Sequence, residues 1–215
     1  METSFHNNEV LTAGLPLDKA SKALILVHGR GGTAADILQL QQHLLLKDFA
    51  IFAPQATQNT WYPYSFLAPP AQNEPWLTAA ISSLGRLMER VQKSIATDHI
   101  YLAGFSQGAC LSLEFAARHA QRFGGVIAFT GGLIGDRIYA DNYQGNFAGT
   151  PIYIGSSDTD PHVPLTRVYA SENILNNMGA IVQTDIFPGM AHTILEPEIA
   201  AANRILSGND QSATR

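Results

Sequence analysis

Ala23-Leu24-Ile25-Leu26-Val27 is apolar at all five positions and stops at His28-Gly29. A strand with no polar side must be covered twice, which calls for helices on both faces of a mostly parallel sheet. Phe49 to Ala53, closed by Pro54, repeats the theme, as do Ile100-Tyr101-Leu102-Ala103, Gly125 to Phe129 and Pro151-Ile152-Tyr153-Ile154, and Ile181 to Phe187, with polar residues at its centre, is a further strand candidate. Helix-period segments fit between these runs. Thr33-Ala34-Ala35-Asp36 resembles a capping box, with Asp in place of the usual Glu, and predicts a helix running to about Leu46. Asn73 is placed to cap a helix whose Trp76, Leu77, Ala80, Ile81, Leu84, Leu87, Met88 and Val91 form one apolar stripe. Further helices fit at about 108 to 120, 165 to 178 and 196 to 207, and Val10-Leu11-Thr12 reads as an extra edge strand. The expected fold is α/β, a mostly parallel central sheet flanked by helices.

At 215 residues the chain is read as one domain, 1–215, with a core of about 20–207 and a polar tail, 208–215, expected to fray. Apolar residues make up 46% and charged residues 14%, which excludes a charge-rich disordered linker. Thirteen Lys and Arg against 18 Asp and Glu give a net charge of -5 without a basic stripe, so no nucleic-acid partner is expected. Cys110 is the single cysteine, so no intrachain disulfide can form. The start, Met1 to Asn8, lacks the charged and apolar regions of a signal peptide. The apolar runs fall far below the roughly 18 residues that span a bilayer. A cytoplasmic protein with no membrane insertion is the expectation. Two irregular stretches stand out: 54 to 72, with Trp61, Tyr62, Tyr64 and Phe66, and 130 to 149, rich in Gly and Asn. Loops of this length in a compact domain are commonly functional.

Gly104-Phe105-Ser106-Gln107-Gly108 follows one predicted strand and leads into a helix, the context of a nucleophile elbow. A serine hydroxyl needs a base within hydrogen-bond reach and a carboxylate to orient that base. Elbow architecture places acid and then histidine later in the chain. His192 sits in the loop directly after the last strand, where such a base belongs. Of the other six histidines, His6, His43, His99 and His119 read as surface or packing residues, His28 as a structural hydrogen bonder and His162 as a loop residue near the acid. Asp158 and Asp160, in Gly155 to Pro164, both follow a strand and either could reach His192. No further cluster completes a metal site there, and neither metal nor cofactor is expected. Acyl transfer also needs donors for an oxyanion. The Gln107 amide, at a helix N-terminus, supplies one; in His28-Gly29-Arg30-Gly31-Gly32 the amide of Arg30 or Gly31 supplies the other. This glycine loop matches neither phosphate-binding pattern.

Together with Thr130-Gly131-Gly132-Leu133, Asp160-Pro161-His162-Val163-Pro164 and Gly189-Met190-Ala191-His192, these motifs resemble the phospholipase/carboxylesterase branch of the α/β-hydrolases, which includes acyl-protein thioesterases. The resemblance covers about residues 20 to 205. It implies Ser106, Asp160 and His192 as a triad, with the amides of Arg30 and Gln107 as the oxyanion hole. Two departures are visible. The glycine loop is His-Gly-Arg-Gly-Gly rather than the thioesterases' His-Gly-Leu-Gly-Asp, and the acid loop carries two additional residues after Gly155, which keeps Asp158 as an alternative acid.

The function expected is therefore a cofactor-independent serine hydrolase that cleaves small to medium acyl esters or thioesters through an acyl-enzyme on Ser106. Two alternatives stand beside it: the same machinery turned on lactone or C–C bonds of aromatic degradation products, and a low-turnover binding protein that keeps the fold. Trp61, Tyr62 and Tyr64 are expected to wall the substrate site, the alternative being that they pin a long loop. The partner is a small-molecule ester, and a homodimer is left open.

Overall fold

In the computed structural model, which describes His6 and residues 9–208, seven strands form one sheet in the order β1-β3-β2-β4-β5-β6-β7. The strands are β1 (Val10–Gly14), β2 (Lys22–Val27), β3 (Phe49–Pro54), β4 (Ile100–Phe105), β5 (Gly125–Phe129), β6 (Pro151–Ser157) and β7 (Ile181–Phe187). Only β1 runs antiparallel, alongside β3. The helices are α1 (Ala34–Leu38), α2 (Trp76–Gln92), α3 (Gln107–Arg118), α4 (Leu165–Asn177) and α5 (Glu196–Ser207). The unbroken apolar run of β2 divides between two cores. Ala23, Ile25 and Val27 pack with residues of α2, α3 and α4, whereas Leu24 and Leu26 pack with residues of α1 and α5. Each fully buried Leu or Ile contributes about 1.5–3 kcal/mol, and the run from Ala23 to Val27 therefore has no position at which a polar residue could stand.

Several local expectations are corrected. The Thr33–Asp36 capping box forms, but α1 ends at Leu38 and passes through a 3-10 turn, Gln39–Gln42, instead of reaching Leu46. Asn203 of α5 is the reason: its side chain accepts from Leu45 N at 2.7 Å and donates to His43 O at 3.0 Å, taking up groups a longer helix would have used. Asn73 does not cap α2, which begins after Pro75. It is buried and holds the aromatic loop, accepting from Tyr64 N at 2.8 Å and donating to Ser65 O at 3.0 Å. The edge strand β1 extends two residues beyond Thr12, and β6 runs on to Ser157. The stretch 130–149 is pinned by two buried charges. Glu114 accepts from Ile134 N and Tyr143 Oη, and Arg167 donates to Leu133 O and Gly135 O. The start of the chain, apart from His6, and the expected frayed tail beyond residue 208 lie outside the described residues.

Glu198, in the first turn of α5, is fully buried. Its Oε2 accepts from Leu195 N at 2.7 Å, while Oε1 finds no hydrogen-bond partner among the described residues. Burial pushes this carboxyl up to about 7, the Leu195 amide opposing the rise and nearby Asp185 adding to it. A folded-state value above the unfolded one favours folding where the group is protonated. That contribution is fully present below the ordinary value of 4.5 and lost as pH rises through about 7. Glu198→Gln is therefore expected to raise the melting temperature at about pH 8 and to change it little at about pH 4, with an upper bound on the order of 3 kcal/mol. Thermal melts of both proteins across that range check it; a variant destabilised equally at every pH would contradict it.

Candidate active site

Ser106 sits between the end of β4 and the first residue of α3, with φ 54° and ψ -117°. A non-glycine residue at positive φ costs of order 1–3 kcal/mol and persists only where its surroundings impose it. Here the flanking glycines do so. A Cβ at Gly108 would run into the carbonyl oxygens of Val27 and His28, and one at Gly104 into the Gly108 backbone. Only bare backbone lets α3 settle this close to the ends of β2 and β4, and that closeness sets the turn that presents the hydroxyl.

His192 comes from the loop between β7 and α5 and meets Ser106 directly. Its Nε2 lies 2.8 Å from Ser106 Oγ, and its Nδ1 lies 2.6 Å from Asp160 Oδ2. With Nδ1–H donating to the carboxylate, Nε2 is left to accept from the serine hydroxyl. Asp160 Oδ1 accepts from the amides of His162 and Val163 at 2.7 and 3.0 Å. Burial works against ionisation of Asp160, but the bonds from His192 and the two amides outweigh it and hold the carboxyl below its ordinary value. Asp158 stands elsewhere: its Oδ1 accepts from Gly189 N at 2.7 Å, tying the loop after β6 to the loop that carries His192. The rings of Phe105 and His162 lie 5.0 and 5.1 Å from the His192 ring.

Among the described residues the amides of Arg30 and Gln107 have no hydrogen-bond acceptor, whereas the Gly31 amide is spent on Asn59 O at 2.7 Å. The alternative donor Gly31 is thus already engaged, with φ 77° turning the loop toward residues 57–60. His28 is buried. Its Nδ1 donates to Gly29 O at 2.7 Å and its Nε2 accepts from Ala56 N at 3.1 Å; burial lowers the tendency of the ring to take a second proton, with the Gly29 bond opposing. His6, expected at the surface or in packing, is buried against Trp61 and Trp76.

Two side chains that the motif reading used only for their amides also organise the site. Gln107 Oε1 accepts from Trp61 N at 2.9 Å while its Nε2 donates to Tyr62 O at 2.8 Å. Arg30 donates to Thr60 Oγ1, Pro63 O and Tyr64 O at 3.1, 2.8 and 2.6 Å. Both clasp the aromatic loop beside Ser106, and no sequence spacing announces either contact. The expected wall is corrected at Trp61, which is 0% exposed, donates from Nε1 to His28 O at 2.9 Å and does not line the cavity at Ser106. Tyr62 and Tyr64 do line that cavity, of about 620 Å³, together with Phe66, Cys110 and His162. A second cavity of about 320 Å³, with Ile37, Leu40, Phe105 and Ile194 in its walls, also opens onto Ser106 and His192. Among the described residues no group of three or more His, Cys, Asp or Glu side chains could hold a metal ion, and no helix is long and apolar enough to cross a membrane.

Comparison with known proteins sets this geometry in a family. A family model described as phospholipase/carboxylesterase matches residues 14–209. The acyl-protein thioesterase 1 of Saccharomyces cerevisiae is 24% identical over 211 residues, an alignment covering 88% of this chain and 93% of that protein. The acyl-protein thioesterase 1 of Gibberella zeae is 28% identical over 115 residues, covering 53% of this chain and about half, 49%, of the relative. The crystal structure of a phospholipase/carboxylesterase from Dyadobacter fermentans superposes with a TM-score of 0.92 at 49% identity, covering 94% of this chain and 97% of that one. The chain belongs to the phospholipase/carboxylesterase family of α/β-hydrolases, serine hydrolases of ester substrates.

Proposed function

We propose that this protein hydrolyses small to medium acyl esters through an acyl-enzyme on Ser106, with Asp160 and His192 completing a triad. The observation that carries the reading is the unbroken hydrogen-bonded line from Ser106 Oγ through His192 to Asp160. His192 Nε2 takes the serine proton as Oγ attacks the ester carbonyl, and then passes that proton to the departing alcohol. Asp160 fixes the tautomer and stabilises the imidazolium. The oxygen of the tetrahedral intermediate is held by the amides of Arg30 and Gln107, where a single donor is worth about 10²–10³ in rate. Water, activated by the same His192, then releases the acid. The test is a fluorophosphonate probe followed by peptide mapping: the adduct is expected on Ser106, and an unlabelled protein or an adduct on another residue would refute the assignment.

In this reading Tyr62 and Tyr64 form part of the acyl wall, while Trp61 supports the loop from behind. Tyr64 is 58% exposed, so Tyr64→Ala is expected to change the chain-length profile of kcat/KM across p-nitrophenyl esters with little loss of melting temperature. Trp61→Ala empties a fully buried site and is expected to cost about 3–5 kcal/mol of stability while scaling all esters together. A chain-length shift in Trp61→Ala and none in Tyr64→Ala would reverse the two roles.

A further inference from the structure

The larger cavity carries a charge that catalysis of a neutral ester does not use. Among the described residues no Asp or Glu lines it, although the chain as a whole has a net charge of -5. Arg30 does line it, and none of the salt bridges among the described residues involves Arg30. The three acceptors that fix its guanidinium, Thr60 Oγ1, Pro63 O and Tyr64 O, are all neutral. The Tyr62 ring lies 6.0 Å away and adds a face for the cation. A guanidinium has five N–H donors, so Nε–H and one N–H of Nη2 remain without a protein acceptor among the described residues. Tyr62 is itself fully buried, and its hydroxyl, which lies beside the weakly accepting Cys110 thiol, makes no hydrogen bond within the described residues. Asp36, the one carboxylate that lines the smaller cavity, is occupied by Thr33.

We infer that the larger cavity selects esters bearing a carboxylate on the half that occupies it, the carboxylate seating on the free N–H groups of Arg30. This rests on the hydrolase reading above and names the substrate class of that same site. A guanidinium already held by neutral oxygens loses little freedom on binding and keeps its full charge, the condition under which a carboxylate is bound by two charge-assisted hydrogen bonds. A phosphate monoester would bring a second negative charge, and the cavity offers one fixed cation for it to meet. In the thioesterases' glycine loop the corresponding residue is leucine, which provides no such donors.

The experiment compares monoethyl and diethyl esters of straight-chain dicarboxylic acids from succinate to suberate, and, to place the carboxylate on the alcohol half, acetyl esters of ω-hydroxy acids beside their methyl esters. In one series the wild type is expected to favour the charged ester by roughly tenfold to a hundredfold in kcat/KM at the length that reaches Arg30. Added salt reduces that preference, and Arg30→Gln abolishes it. Arg30 also clasps the loop, so its loss lowers both esters; a purely structural role would lower them by the same factor and leave the charged-to-neutral ratio unmoved. A ratio at or below one at every length in both series, or one unchanged in Arg30→Gln, overturns the proposal. Calorimetric binding of the charged esters to Ser106→Ala reads the pocket without turnover. Salt-sensitive binding there, lost when Arg30→Gln is added, upholds the carboxylate site even if the wild type hydrolyses neither ester, in which case the hydrolase reading falls alone. Hydrolysis of neutral esters with no charge preference leaves the hydrolase reading standing and removes this one.

Discussion

Ser106→Ala is expected to lower ester turnover by on the order of 10⁶ while leaving the fold and its melting temperature unchanged. In the proposed mechanism the hydroxyl forms the acyl bond, and without it His192 has no proton to take from the enzyme. The backbone has no reason to respond. The positive φ at position 106 is imposed by the close approach of α3 to β2 and β4, and alanine meets that constraint with the same Cβ. What remains should be a weak acceleration of water attack, supplied by the free amides of Arg30 and Gln107 and by substrate positioning. Steady-state rates with any active ester, beside a circular dichroism melt, are the check. Turnover near that of the wild type would transfer the nucleophile to another residue.

A loss of about 10⁴ is expected for Asp160→Asn, against less than about tenfold for Asp158→Asn. Asparagine at 160 can still accept from the His162 and Val163 amides, so the loop keeps its shape. Its amide nitrogen, however, faces His192 Nδ1, and the ring must then turn its proton toward Ser106, where a base needs a lone pair. The imidazolium also loses its compensating charge. At position 158 an asparagine oxygen can accept the Gly189 amide as the carboxylate does, and the tie between the two loops survives. There is a stability consequence as well. Asp160 titrates below its ordinary value, so its contribution is present above the unfolded value and is lost as pH falls through the folded one. Asp160→Asn should accordingly narrow the gap to wild type in acid and widen it at neutral pH. The reverse ranking of the two variants in kcat would make Asp158 the orienting acid.

Much of this architecture is legible from local pattern. A five-residue run without a polar position has one sheltered solution, and β2 adopts it; the order Gly104, Ser106, Gly108, a later acid and a last histidine calls for three loops at one edge of a parallel sheet. Chain order also carries Asp160 and His192 to adjacent strand ends. The misses share a different cause. Asn203 ends the first helical stretch from 160 residues away at His43. Asn73 is drawn off α2 by the loop it holds, and the side chains of Arg30 and Gln107 take on partners in that loop. Periodicity and capping rules describe what a segment does with its own neighbours, and each of these residues is claimed by something distant. Trp61 shows the same limit: its place in an aromatic loop suggests a wall, and its hydrogen bond to the carbonyl of His28 makes it a pin.

The hydrogen bond between Ser106 and His192 joins positions 86 residues apart in the chain. At the roughly 5–20 residues per second of protein synthesis, the serine leaves the ribosome several seconds before its base exists. Parallel strand pairing between distant segments is also slow to form. On the proposed mechanism a growing chain is therefore chemically silent toward esters until β7 has docked and the following loop has closed over β4. Activity becomes the last property the protein acquires, so regain of hydrolysis after refolding from denaturant should follow the slowest structural phase and report completion of the entire sheet.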